Sequence, residues 1–114
     1  MRKLFVAALL VIAGCLSALF ATSATSATRV KVGDNYFVRA SGVPTVTVSK
    51  GTRVRWVWTG NRVHNVTVTK GPARFSSIAM RSGSYTKRVR KTGTYTIICT
   101  IHGGDDQKMK LVVR

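Results

Sequence analysis

The sequence predicts an all-β domain built as a sandwich of short strands, and three observations lead there. From Thr28 onward apolar and polar side chains alternate with a period of two. Gly or Asn interrupts that alternation about every eight to twelve residues, the spacing of sandwich strands. No stretch of the same region repeats its apolar residues at helical spacing.

Taken in order, the expected strands are residues 29–32, 36–38, 43–48, 52–58, 63–69, 84–89, 94–99 and 108–113. Turns are expected at Gly33-Asp34-Asn35, Lys50-Gly51, Gly60-Asn61, Lys70-Gly71-Pro72, Thr92-Gly93 and Gly103-Gly104, whose residues tolerate the backbone angles turns need. Parity assigns the faces. Val54, Trp56 and Trp58 point to the core while Arg53 and Arg55 point to solvent. His64 falls on the inward face with Val66 and Val68, and Cys99 with Tyr95 and Ile97. Gln107 shares parity with Met109, Leu111 and Val113.

The 114 residues, 45% apolar and 19% charged, leave room for one folded domain. Its N-terminus reads as an export signal: Met1-Arg2-Lys3, an apolar run over residues 4–20, then small residues through Ala27. The run is broken by Gly14, Cys15 and Ser17 and is short for a retained membrane anchor. The expected division is residues 1–27 as a cleaved signal and 28–114 as the mature domain. Ile12-Ala13-Gly14-Cys15 resembles the box at which bacterial lipoproteins are cut, which would leave Cys15 lipid-bearing, but the residues after it stay apolar. Export places the domain in the periplasm, outside the cell or on its surface.

Without Arg2 and Lys3 the domain carries a formal charge of 19 − 2 − 3 = +14. That excess favours anionic partners. Because the basic residues are scattered along strands, with no run longer than Lys87-Arg88 or Arg90-Lys91, nucleic acid is not expected as a partner.

Cys99 is the one cysteine of that domain, in a compartment where paired cysteines oxidise, so its thiol needs a reason. Cys99-Thr100-Ile101-His102 puts a thiolate at a strand end and an imidazole three residues later in a glycine-flanked loop. His64 arrives from a distant strand. These are both histidines of the chain and the domain's only thiol. A lone inward His or Cys is ordinarily plain core. Two imidazoles with a soft thiolate form a trigonal set that selects copper, and a weak axial donor completes an electron-transfer site.

The same residues carry a resemblance. His64-Asn65-Val66, followed by the run from Gly93 to His102 (GTYTIICTIH), resembles the copper-binding signature of the plastocyanin and amicyanin group of cupredoxins. Val32-Gly33-Asp34-Asn35-Tyr36-Phe37 resembles the family's first strands, and the stretch from Val46 to Val54 resembles the hairpin before its copper histidine. What the resemblance implies is a Greek-key sandwich, cupredoxin-like, with a single copper ion at its loop-rich end. It also implies that Asn65 hydrogen-bonds across to the cysteine loop; by parity alone Asn65 reads equally as an outward strand residue.

The axial position departs from the family. Plastocyanins place a methionine five residues after the second histidine, and here that position is Gln107. Seven residues follow it, matching the length of the family's last strand, and this register favours Gln107. Met109 is the alternative, and a third reading leaves the axial position empty. Asp105 and Asp106 read as turn residues that could add negative charge near the metal.

The expected function is therefore an exported, monomeric blue-copper protein that passes single electrons to a redox partner with an acidic docking surface, with loose attachment to an anionic membrane a further expectation. It is not expected to be an enzyme, since bond chemistry needs an open position with an acid or base in reach, and beyond Asp105 and Asp106 the only acid is Asp34. The alternatives are a copper carrier or storage protein, for which exposed Met-rich or His-rich tracts would be expected, and a metal-free sandwich that binds anionic surfaces.

Overall fold

The structure, a computed structural model, describes residues 27–114; residues 1–26 of the expected signal segment, Cys15 among them, lie outside the described residues. Eight strands follow one another, with no helix among the described residues: β1 (Thr28–Gly33), β2 (Tyr36–Phe37), β3 (Thr45–Val48), β4 (Thr52–Trp58), β5 (Thr67–Lys70), β6 (Ser84–Val89), β7 (Gly93–Ile98) and β8 (Lys108–Val113). They form two four-stranded sheets, β2-β1-β4-β6 and β3-β8-β7-β5. Each sheet contains one parallel pair, β1 with β4 and β3 with β8. The parallel pairs arise because strands distant in sequence are laid side by side, as an all-β sandwich with crossing connections requires.

Period-two alternation delivers the core. Val30 and Val32, Val54, Trp56 and Trp58, Val66 and Val68, Tyr95, Ile97 and Cys99, and Met109, Leu111 and Val113 are all buried, and they fill the space between the sheets. Trp56 packs against Phe75 and Tyr85 with ring centroids 5.8 Å away in each case. A fully buried aromatic of this size removes about 150–250 Å² from water, on the order of 4–6 kcal/mol at about 25 cal/mol per Å². The Tyr95 hydroxyl donates 2.7 Å back to the Lys91 carbonyl four residues upstream, the corner that locks strand entry in Greek-key sandwiches. On the outward face of the first sheet Arg29 pairs with Arg55 and Arg53 with Arg88, like charges facing each other across the ladder in water.

Several boundaries differ from the sequence expectation. Val43 is exposed and β3 begins only at Thr45, because Pro44 has no N–H to give the ladder, although its carbonyl accepts from Lys110 at 2.9 Å. Val38 lies outside β2, at φ 67. The segment 63–66 is not part of a regular strand. The β5–β7 ladder ends at Thr67 opposite Ile98, and His64 instead makes an isolated bridge to Met80, N–H to carbonyl in both directions at 3.0 Å. Parity still carries through the irregular stretch, so His64 is buried with Val66 and Val68 as expected.

Candidate metal centre

The ends of β7 and β8 build one side of the site. Cys99 is the first residue past β7, and its N–H donates to the Gln107 carbonyl at 3.1 Å, so Gln107 lies opposite Cys99 just before β8 begins. One step further into the sheet, Met109 is opposite Ile97. Between them the loop closes on itself, with the Gly103 N–H on the Cys99 carbonyl at 2.9 Å and the Gln107 N–H on the Gly103 carbonyl at 3.2 Å. Gly103 takes φ 86, an angle that suits a residue without Cβ, and the turn brings the His102 ring back over the thiol. The Sγ of Cys99 and Nδ1 of His102 are 3.5 Å apart.

His64 completes the group from the opposite segment. Donor atoms of His64, Cys99 and His102 all lie within 4.8 Å of one another, and the two imidazole centroids are 4.8 Å apart. Donor–metal distances of about 2.0 Å for imidazole and about 2.3 Å for thiolate, the size found with zinc, would set donors about 3.5–3.8 Å apart around a trigonal centre. The arrangement therefore needs sub-ångström to roughly 1 Å adjustments, not rebuilding.

Two buried side-chain atoms of the expected ligands lack hydrogen-bond partners. His64 is wholly buried and its Nδ1 has no hydrogen-bond partner, while its Nε2–H donates to Asp34 Oδ1 at 2.9 Å. Gln107 is also wholly buried, its amide nitrogen donating to the carbonyls of Gly33 at 3.3 Å and Tyr36 at 3.1 Å, and its Oε1 has no partner. A buried lone pair left unmatched costs about 1–3 kcal/mol. A soft cation accepting the His64 Nδ1 lone pair together with a thiolate and a second imidazole resolves that cost at His64, so the His-Cys-His donor set fits copper.

Asn65 reaches across as the resemblance implied. Its amide nitrogen donates to the Thr100 hydroxyl at 2.7 Å and its carbonyl oxygen accepts the Thr100 N–H at 2.9 Å. Asp105 and Asp106 stand exposed in the loop, as turn residues do.

The sequence reading assigned Asp34 only to a turn. In the structure its carboxylate, one-third exposed, holds His64 and also accepts the N–H groups of Asn61 at 3.0 and 3.1 Å and of Arg62 at 3.0 Å. The hydrogen bond from His64, and then that from Asn61, hold its carboxyl at about 2, below the ordinary 3.8. The available signal was rarity: Asp34 is one of 3 acids in a chain with 19 basic residues, and the only one outside the ligand loop.

A two-sheet sandwich with a His-Cys-His cluster at its loop end is the cupredoxin-like architecture, and the fold and cluster are those of an amicyanin-like protein. No family model and no curated protein matches the sequence. Among solved structures the chain is similar to an oxidized proline-to-glycine mutant of amicyanin, with 26% identity, a TM-score of 0.64 and coverage of 82% of this chain and 88% of that one. It is similar to the same extent of coverage, at 26% identity, to the Cu(I) form of a methionine-to-alanine mutant of amicyanin (TM-score 0.65) and to a methionine-to-glutamine mutant of amicyanin with Cu(I) (TM-score 0.66).

Proposed function

We propose that this protein is an exported electron carrier that holds one copper ion through His64, Cys99 and His102, with the Gln107 amide oxygen as a weak axial donor. The observation that carries the reading is the pair of orphaned buried acceptors, His64 Nδ1 and Gln107 Oε1, beside a buried free thiol and a second imidazole. Register favours Gln107 over Met109: Met109 sits a two-residue step, about 7 Å, deeper along β8 than the level of Cys99.

Copper bound there would supply a one-electron couple. The chain's part is to keep the donors fixed as the charge changes. His64 is pinned by Asp34, Cys99 by the Gln107 carbonyl, Gln107 by Gly33 and Tyr36, and the two ligand segments by Asn65. Of the four donor residues His102 alone is only half-buried, and Ile101 beside it is 49% exposed, so a partner meets the site at this edge. The formal +14 favours an acidic partner surface and makes association weaken with salt. Export rests on the basic start, apolar run and small residues of positions 1–27.

The test is to add one equivalent of Cu(II) to the domain 28–114 and record visible absorption and electron paramagnetic resonance, with His64→Ala and Cys99→Ser alongside. An intense thiolate charge-transfer band lost in both variants is expected. A colourless wild-type protein would overturn the proposal and leave a metal-free module binding anionic surfaces, and a coloured protein that surrenders its Cu(I) rapidly to a chelator without reversible redox cycling would favour a carrier.

A further inference from the structure

We infer that Asp34 is a positioning residue of this centre, which fixes His64 with Nδ1 as its free donor and biases a bound copper toward Cu(II). The inference rests on the copper reading above and adds a residue from a separate part of the chain.

Neutral imidazole carries its single N–H on either nitrogen, and the hydrogen bond made by one nitrogen decides what the other offers. Here an acceptor-only carboxylate faces Nε2 at 2.9 Å, which places the proton there and leaves the Nδ1 lone pair pointing into a buried space with no partner. The carboxylate is itself built in. The N–H groups of Asn61 and Arg62 both point at it, joining the β1–β2 turn to the loop after β4. Gly60 makes that junction possible, since a Cβ at this position would overlap the Asp34 carboxylate. Two backbone N–H groups from a distant loop and the His64 ring thus converge on one acid, in a domain whose other two acids are exposed on the ligand loop.

A carboxylate in this position has two effects. Geometrically, it holds the ring before metal arrives. Electrostatically, an anion on the far nitrogen makes the near nitrogen a stronger donor, and a full negative charge one imidazole away favours the more highly charged ion.

The variants separate the two. Asp34→Asn keeps an oxygen acceptor and removes the charge, and Asp34→Ala removes both. With copper loaded, Asp34→Asn is expected to lose at least about tenfold in Cu(II) affinity relative to Cu(I), within the roughly 10–100-fold range for such supporting partners, and about 59 mV per tenfold for a one-electron couple gives the rise in potential. In the metal-free protein, nitrogen-15 correlation spectra of the His64 ring are expected to show the Nε2–H form in wild type and Asp34→Asn, and a mixture in Asp34→Ala. An unchanged potential in a blue Asp34→Asn protein would overturn the electrostatic half, and an Nδ1–H ring in wild type would overturn the geometric half. The wild-type tautomer needs no variant to fold and no metal. It therefore judges Asp34 even where the copper reading itself fails.

Discussion

Replacing Gln107 with Leu tests whether its side chain serves the metal or only the fold. In the metal-free protein the substitution removes two hydrogen bonds, to the Gly33 and Tyr36 carbonyls, each contributing about 1 kcal/mol. It also removes a buried oxygen with no partner, which costs the wild type about 1–3 kcal/mol. Leu and Gln have similar volumes, so little cavity is left. The opposing terms nearly cancel, and the apo variant is expected within about 1 kcal/mol of wild type, a shift of no more than about 1 M in urea midpoint.

With Cu(II) bound the balance is expected to change, because the proposed axial contact would give the wild-type oxygen a partner. Losing a contact of the strength of a hydrogen bond to a charged group, about 1.5–3 kcal/mol, lowers Cu(II) affinity by roughly tenfold to a hundredfold. The stabilisation that copper gives over the apo form then shrinks by the same amount, since bound ligand stabilises in proportion to the logarithm of its affinity. Urea unfolding of apo and Cu(II) proteins in parallel measures both changes. If Leu lowers the stability of the two forms equally, Gln107 is a structural clamp between β8 and the β1–β2 turn, and the axial assignment is wrong. Gln107→Met supplies the complementary check: a thioether in place of an oxygen should favour Cu(I) and raise the potential.

Three further outcomes are expected. Tyr95→Phe removes the bond to the Lys91 carbonyl and should lower stability by about 1 kcal/mol, roughly 5 °C in melting temperature, while leaving the copper spectrum unchanged. Asn65→Ala unties the two segments joined at Thr100 and should weaken copper affinity roughly 10–100-fold, read by competition with a chelator. Asp34, whose carboxyl is depressed in the folded state, contributes stability that is full above about pH 4 and lost as pH falls toward 2. An acid titration of the apo protein should show this limb in wild type and not in Asp34→Asn.

Burial at Val54, Trp56, Trp58, His64, Cys99 and Gln107 was legible in the sequence because side-chain parity is a local property of extended chain. It survives even where the ladder fails. Residues 63–66 were read as strand and are not one, since the backbone of His64 bonds Met80 and the side chain of Asn65, not its backbone, takes the Thr100 N–H. Alternation records which way a residue points and is silent on what its backbone bonds to, which is why strand bounds were misplaced and facing was not.

The site divides along the same line. His64, Cys99 and His102 stood out because the chain has so few groups able to bind a soft metal, and scarcity needs no fold to be noticed. Asp34 makes its contact with His64 across 30 residues, through a glycine turn and a loop whose N–H groups converge only after β1 and β4 have paired in parallel. No periodicity encodes such a meeting. Parallel register sets Val32 beside Trp58, and the turns that follow these two strands then emerge at the same end of the sheet, so that Gly60, Asn61 and Arg62 close over the acid. The pairing of two strands far apart in sequence is thus what brings the supporting carboxylate to the histidine. The candidate metal-binding residues were visible as chemistry, and their support is visible only as topology.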